Sequence, residues 1–408
     1  MQHPNKTITL LSIPVLVAAL GYFVDIYDLL LFSIIRVSSL KGLGLNELAI
    51  DMDGKFIISI QMYGLLIGGI IWGIMGDKKG RLSVLFGSII LYSLANIANG
   101  FVQNVTQYSI CRFVAGIGLA GELGAGITLV SELIPKEKRG VATSIVAGIG
   151  LTGAVAAYFI SQTFDWRTCY YIGGALGLAL LVLRVSVFES GMFKNMKEST
   201  VSRGNFLMLF TNAKRRKKYL LSILIGLPTW YVIGILISFS KEFGKNFGIK
   251  DEIVPGKAVM LAYVAISIGD LLIGLVSQVL KSRKKALYIY YSITIVSIIL
   301  YFQQYNGTAT NMYAICMLMG FGTGFWALFV TMAAEHFGTN LRATVTTTVP
   351  NMVRGSLPLI IILFNFLKPG FGYIHAAAIV GVIVMALSTT AVMMTEETFG
   401  KDLNFLEE

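Results

Sequence analysis

The chain has 408 residues, of which 55% are hydrophobic and 13% are charged, and its formal net charge is +11. Soluble domains carry roughly 25% charged residues, so this composition excludes a water-soluble enzyme or binding domain. The apolar runs are long and continuous, whereas the strands of a membrane barrel are about 10 residues long and alternate in polarity. The sequence therefore predicts an all-α membrane protein.

Apolar segments separated by charged residues or by Pro and Gly predict twelve transmembrane helices of about 20 residues each. In the first half these spans lie near residues 8–35, 56–75, 82–102, 106–134, 139–161 and 167–188. In the second half they lie near residues 219–240, 258–280, 285–304, 310–334, 343–366 and 371–394. The spacing predicts three parts: an N-terminal six-helix bundle (1–188), a basic cytoplasmic linker (189–218) and a C-terminal six-helix bundle (219–408).

Basic residues concentrate in short connections between the spans, and the longest connection ends in five of them, at residues 214–218. Positive residues are enriched in cytoplasmic loops, so the linker and both termini are predicted to be cytoplasmic. This basic run is explained as a topology anchor at the start of span seven, and nucleic acid is not an expected partner. We expect a multi-pass protein of a bacterial-type inner membrane.

The segment after span four resembles the segment after span ten, about half the chain length away. Glu132 matches Glu335, and Arg139 matches Arg342. Internal repeats of this kind are typical of transporters built from duplicated helical units. The repeat supports two related six-helix bundles.

Three motifs resemble those of the major facilitator superfamily. The segment 73–81, with Asp77 and Arg81, resembles the family's signature loop between spans two and three. The segment 112–122 resembles span four of the sugar-porter and metabolite:proton symporter branches. After span six, residues 188–193 resemble the Glu-Ser-Pro-x-Phe string of that branch, with Gly191 in place of proline.

This resemblance implies two pseudo-symmetric bundles around a central cavity that opens alternately to either side of the membrane. It also implies that spans one, four, seven and ten line the cavity. By the same resemblance, Asp77, Arg81, Glu132 and Arg139 form a cytoplasmic gate that holds one conformation. The sequence contains no phosphate-binding loop of the Walker type and no metal-ligand spacing, so no cofactor or metal is expected.

Charged residues inside a span are costly, by about 3 kcal/mol each on insertion scales, and usually mark a transport pathway. Asp25 and Asp28 lie in span one, and Arg112 and Glu122 lie in span four. If the two spans face each other, the four groups share one compartment and can load and release a proton. The alternative is a static ion-pair cluster that joins spans one and four.

Arg354 in span eleven is the main substrate-binding candidate, because its planar guanidinium suits a carboxylate or phosphate. The alternative is a structural ion pair with Asp270 in span eight. Further candidates for the cavity wall are one amide and several aromatic side chains, although aromatic residues in membrane helices more often pack than bind ligands. These candidates are Asn351, Tyr22, Tyr27, Trp230 and Trp326.

Together these features predict a secondary active transporter, expected as a monomer, that imports a small anionic or zwitterionic metabolite with protons. A carboxylate-bearing compound such as an organic acid, an amino acid or a betaine is the expected substrate. The alternative is a proton-antiport exporter of a drug or of a carboxylate-rich secreted metabolite such as a siderophore. Acidic residues can couple protons to transport in either direction, so the sequence is compatible with both import and export.

Overall fold

A computed structural model describes residues 13–79, 81–122, 146–189 and 206–401 of the chain. Within these residues nine helical stretches are long and apolar enough to cross a bilayer, and Thr344–Met394 is long enough to cross it twice. A shorter apolar helix, Val84–Asn99, and the helix Val105–Leu119 fill the positions of predicted spans three and four. The all-helical prediction is confirmed.

The helices of the N-terminal half follow the predicted spans in order. Their bounds are Ile13–Gly42, Glu47–Lys79, Arg81–Asn99, Val105–Leu119, Gly153–Thr163 (which continues a helical stretch from Val146) and Trp166–Glu189. Spans one and two extend further toward each other than predicted, so Arg36 and Lys55 lie within helices instead of in a loop. Both side chains are buried. Their charges do not end the helices because each has partners within the protein.

The C-terminal half contains more interruptions than the sequence predicted. Span seven runs from Ala213–Tyr231 through a π-helical turn, Val232–Ile237, to a short helix, Ser240–Asn246; Met208–Thr211 precedes it. Spans eight and nine are Pro255–Val279 and Arg283–Phe302. Span ten is broken into Ala309–Gly322 and Trp326–Glu335. Spans eleven and twelve comprise Thr339–Gly355 and the stretch Leu357–Met394, which turns at Gly372.

Gly372 has φ 75° and ψ 173°, in a backbone region that only glycine enters without strain. Elsewhere, glycines allow helices to approach closely. A Cβ atom on Gly118 would lie 2.6 Å from the Tyr92 backbone nitrogen, and one on Gly324 would lie 2.8 Å from Gly269 Cα. Small residues at helix crossings are a general feature of membrane bundles.

Span two packs along span eleven, and this contact joins the two halves of the molecule. Gly69 faces the Asn351 side chain, and Gly355 faces Leu66. Spans one and five of the first half also contact span eight. Large apolar side chains such as Leu94, Ile110 and Val279 are exposed on the outside, as expected for lipid-facing positions. The charged residues predicted within spans lie in the interior between these helices.

Candidate functional site

Arg112 and Asp28 form a fully buried ion pair between spans four and one, with Nη1 and Oδ1 3.0 Å apart. Arg112 Nη2 also donates to the Asp28 carbonyl at 3.0 Å. The guanidinium is held further by Asn96 Oδ1 at 3.2 Å and Gln61 Oε1 at 3.3 Å, and it lies over the Tyr170 ring. This network joins spans one to four and six within the N-terminal bundle. Its geometry fits the static alternative for these two residues.

Glu122 pairs with Arg184 of span six, and the two groups make two hydrogen bonds deep in the same bundle. Gly21 of span one leaves room for this pair, because a Cβ atom there would collide with both side chains. Glu122 and Arg112 are therefore not bound to one another, although Glu122 and Asp28 both lie within electrostatic range of Asp25. Each has its own partner, and the two ion pairs are separate.

Asp25 differs from the other three groups because neither carboxylate oxygen accepts a hydrogen bond from the residues that the structure describes. The side chain is completely buried. The charged groups within electrostatic range of the Asp25 carboxylate include Arg354 of the opposite half as well as Glu122, Asp28 and Arg184 of its own half. Tyr22 lies within the electrostatic range of both Asp25 and Arg354. Asp25 therefore has a cation of the other half, Arg354, among its charged neighbours.

Arg354 is 1% exposed and has no carboxylate within 4.0 Å among the described residues. Its Nη1 donates a long hydrogen bond of 3.4 Å to Asn351 Oδ1, and its Nε has no partner there. The guanidinium carbon lies 5.6 Å from the centre of the Trp326 ring. Asn351 in turn donates to the Ala120 carbonyl of span four at 2.9 Å, which fixes Arg354 against the first half.

We call the group formed by these facing residues the central site: Tyr22, Asp25, Trp326, Asn351 and Arg354. It contains a buried guanidinium and a buried carboxyl group that lie within electrostatic range of each other and form no salt bridge among the described residues. Buried polar groups without partners are costly, so such groups in a native fold need an explanation. The central site is therefore a candidate for ligand binding.

Asp270 does not form the alternative ion pair with Arg354. Its Oδ1 accepts a hydrogen bond from the Ala327 backbone nitrogen at 2.8 Å. Ala327 belongs to the second helix of span ten, just after the break. Asp270 therefore caps a helix, and Arg354 keeps its charge unpaired in the described residues.

Two aromatic candidates lie in other surroundings. Tyr27 is fully buried, and its hydroxyl donates to the Cys169 carbonyl at 2.9 Å. The Tyr27 side chain therefore lies inside the N-terminal bundle. This corrects its assignment to the cavity wall. Trp230 is buried in span seven, and its indole N–H has no partner among the described residues. It remains a candidate for contact with a ligand.

A second charged cluster joins the halves at the end of the molecule where span one ends. Arg36 Nη2 donates to both carboxylate oxygens of Glu242, at 2.8 and 3.0 Å. The same guanidinium donates to the carbonyls of Ile50 and Ser238, each at 3.2 Å, and lies 4.2 Å from the Phe239 ring centre. Arg36 is 0% exposed. One cation thus holds spans one, two and seven together.

Lys55 extends this cluster. Its ammonium group binds both oxygens of Asp51 at 2.7 Å and lies 5.1–5.2 Å from three ring centres, those of Phe239, Phe364 and Tyr373. The three aromatic residues belong to the C-terminal half. We call Arg36, Asp51, Lys55 and Glu242 the Arg36 cluster. The sequence did not predict this cluster, because Arg36, Asp51 and Lys55 fall between the predicted spans one and two.

The predicted cytoplasmic gate lies largely outside the described residues, which include neither Glu132 nor Arg139 and no side-chain positions for Asp77 and Arg81. Its second-half counterpart can be described. Glu335, which matches Glu132 in the repeat, pairs with Arg283 at 3.1 Å. Glu335 also accepts a hydrogen bond from the Thr398 hydroxyl at 2.6 Å. The repeat therefore includes a carboxylate that binds the start of span nine, directly after the loop between spans eight and nine.

Glu397 makes further contacts beside the Glu335–Arg283 ion pair. Burial opposes the ionisation of Glu397, but hydrogen bonds from the Ser282 hydroxyl and from backbone N–H groups, including those of Arg283 and Phe399, outweigh it and lower the pKa to about 2. The carboxylate therefore stays charged at neutral pH. It ties the segment after span twelve to the start of span nine.

Within the part of the chain described, no group of three or more His, Cys, Asp or Glu side chains could hold a metal ion. Within the described residues, long apolar helices packed as two halves around buried charged groups are typical of one class of protein, the secondary membrane transporters. The sequence matches the Major Facilitator Superfamily over residues 18–360, and the chain belongs to this family.

Comparison with a solved structure agrees on the fold. The structure of the proton:xylose symporter XylE bound to 6-bromo-6-deoxy-D-glucose superposes with a TM-score of 0.71. The alignment covers 96% of this chain and 97% of that chain at 16% sequence identity. The two pseudo-symmetric six-helix bundles of the family are thus present here.

Several curated transporters are similar in sequence. The niacin transporter NiaP of Acinetobacter baylyi is 26% identical over 95% of this chain and 94% of its own length. The 3-(3-hydroxy-phenyl)propionate transporter of Escherichia coli is 26% identical, covering 84% of this chain and 85% of that protein. The benzoate transport protein of Acinetobacter baylyi is 32% identical over 46% of this chain and 42% of its own length. The chain is a multi-pass membrane transporter of this family, not an enzyme.

Proposed function

We propose that this chain imports a small ring-bearing carboxylate together with a proton across a bacterial-type inner membrane. The observation that carries the proposal is the buried Arg354 guanidinium, which has no carboxylate partner among the described residues and lies over the Trp326 ring. A guanidinium offers a planar fork for a carboxylate, and an indole offers a flat apolar face for a ring. The names of the similar transporters, for niacin, benzoate and a hydroxyphenylpropionate, support this chemistry.

Asp25 gives a physical basis for proton coupling. When Asp25 is ionised, its carboxylate competes with the substrate carboxylate for electrostatic attraction to the Arg354 guanidinium. Its negative charge also repels that substrate. When Asp25 takes up a proton, the competition ends and the anion binds more tightly. Proton and anion then favour the same loaded state, which is the condition for symport.

This coupling logic also favours import over the exporter alternative. In an antiporter, the proton and the substrate should exclude one another, whereas here the proton removes an obstacle to anion binding. Asp28 and Glu122 are weaker candidates for the coupling acid because each is bound to an arginine, Arg112 and Arg184 respectively. We propose that these two ion pairs set the electrostatic potential at the Asp25 carboxyl group.

The remaining assignments follow the family resemblance. Asp77, Arg81, Glu132 and Arg139 are proposed as the cytoplasmic gate, by analogy with the contact of Glu335 and Arg283. Asp77→Asn should lower turnover several-fold while binding persists, because the gate loses a charge-assisted hydrogen bond. Normal turnover in this variant would remove Asp77 from the gate.

The proposed function is tested with purified protein in proteoliposomes. Radiolabelled benzoate, nicotinate and 3-(3-hydroxyphenyl)propionate are offered with and without an inward proton gradient. We expect at least one of them to accumulate against its own gradient only when the proton gradient is present. Asp25→Asn should abolish this accumulation and leave exchange of substrate across the membrane intact. Proton-driven extrusion of these compounds would favour the exporter instead.

A further inference from the structure

Span ten is broken near the middle of its length, and the break lies beside the central site. The first helix ends at Gly322, the second begins at Trp326, and the Phe325 backbone nitrogen turns back to the Thr323 carbonyl at 2.9 Å. A helix that begins inside the membrane has backbone N–H groups without partners in its own first turn. In a bilayer these groups need partners within the protein.

Asp270 of span eight supplies one of them. Its Oδ1 accepts a hydrogen bond from the backbone N–H group of Ala327, the second residue of that helix, at 2.8 Å. A negative charge at this position also complements the dipole of the second helix. Gly269 and Gly324 bring the two backbones together here, since a Cβ atom on Gly324 would lie 3.0 Å from the Asp270 nitrogen. Asp270 is 4% exposed, so the contact is internal.

The helix start held in this way carries the side chain that lies against Arg354. Trp326 is the first residue of the second helix, and the backbone N–H of the next residue, Ala327, donates to Asp270. Its ring centre lies 5.6 Å from the Arg354 guanidinium carbon and 4.9 Å from the Phe329 ring. The position of the Trp326 ring therefore depends on where the second helix begins, and the hydrogen bond to Asp270 fixes that helix start.

We infer that Asp270 is a positioning residue for substrate selection. It holds the Trp326 ring beneath Arg354, and this fixed ring makes the site prefer a flat aromatic carboxylate over a puckered, saturated one. The inference rests on the proposed function and adds to it the residue that sets ring preference. Asp270 acts through Trp326 and does not itself contact the ligand.

The test compares two ligands that share a carboxylate and differ in ring shape, benzoate and cyclohexanecarboxylate. Their dissociation constants are measured by calorimetry on the purified full-length protein. We expect the parent to prefer benzoate by about five- to tenfold, as a well-placed aromatic contact allows. Asp270→Ala should reduce this preference to about twofold or less. Asp270→Asn, which keeps an acceptor oxygen, should lose part of the preference.

A matched control removes a similar cap elsewhere on span ten. Thr308 caps the first helix by accepting a hydrogen bond from the Asn311 backbone nitrogen, at the far end from Arg354. Thr308→Ala should keep the full preference for benzoate. Loss of preference in this variant would mean that any weakening of span ten has the same effect, and would overturn the specific role of Asp270.

A double-mutant cycle separates positioning from general stability. The single variant Trp326→Ala should remove the preference for benzoate over cyclohexanecarboxylate. Adding Asp270→Asn to that variant should cause no further loss of preference. An unchanged preference in Asp270→Asn, or additive losses in the double variant, would overturn the inference. If the parent binds neither ligand, the proposed function fails. If it binds both equally well, only the inference fails.

Discussion

The Arg36 cluster and the central site both place an arginine at the boundary between the two halves, and they differ in what that arginine meets. Arg36 has a carboxylate of the other half at 2.8 Å, whereas Arg354 has none within 4.0 Å among the described residues. Both guanidinium groups are buried and both lie near an aromatic ring. An arginine that is paired with a carboxylate of the other half, such as Arg36, holds the halves together. An arginine without such a partner among the described residues, such as Arg354, is available to a ligand.

Removing the unsatisfied charge should have the largest effect on binding. Arg354→Ala should weaken carboxylate binding by about 100-fold, because the anion would be left buried without a partner. Arg354→Lys keeps the charge but loses the planar fork, and a loss of about tenfold is expected. Calorimetry with benzoate measures both. If the lysine variant binds like the parent, Arg354 does not grip the carboxylate in a forked geometry.

Removing one partner of the satisfied cluster should instead change the balance of conformations. Glu242→Gln weakens the charge-assisted hydrogen bonds to Arg36, so the two halves should separate more easily at this end. We expect the open population to rise about tenfold. Distances between spin labels at Leu48 and Lys250, one on each half, report this opening. An unchanged distance distribution would show that the Arg36 cluster does not control the conformation.

A nearby exposed ion pair gives the matched control and the smallest effect. Lys245 and Glu47 also join the halves, at 2.9 Å, but their side chains are 77% and 66% exposed. Exposed pairs of this kind contribute little because water screens them. Lys245→Gln should leave the spin-label distances unchanged. An opening as large as that of Glu242→Gln would mean that burial does not explain the difference between the two pairs.

Much of this fold could be predicted from the sequence, because long apolar runs have few alternatives in a membrane. The repeat of Glu132 and Glu335 and the signature loop around Asp77 then pointed to the family. The break in span ten was not predicted, since hydropathy continues through residues 323–325. A helix interruption inside the membrane requires a distant partner, here Asp270, and a single span does not reveal it.

The site was predicted in part. Residues with intramembrane charges were found, because a charge in an apolar run is conspicuous. Their pairing was not, since it depends on how distant spans pack: Arg112 meets Asp28, and Glu122 meets Arg184. The Arg36 cluster was missed because charged residues near a span end look like loop residues. Arg36 and Lys55 could have been found only by extending the helical pattern of spans one and two through their charges.

Asp25 and the substrate carboxylate are proposed to compete for Arg354. This competition is tested by the dissociation constant of benzoate as a function of pH, measured on parent and Asp25→Asn protein above the pH at which benzoate itself takes up a proton. We expect the parent to bind more tightly as the pH falls, since protonation of Asp25 removes the competing charge. Asp25→Asn should bind equally well across the range, with the affinity that the parent reaches at low pH. A parent whose affinity does not change with pH, or an Asp25→Asn variant that keeps the same pH dependence, would contradict the account.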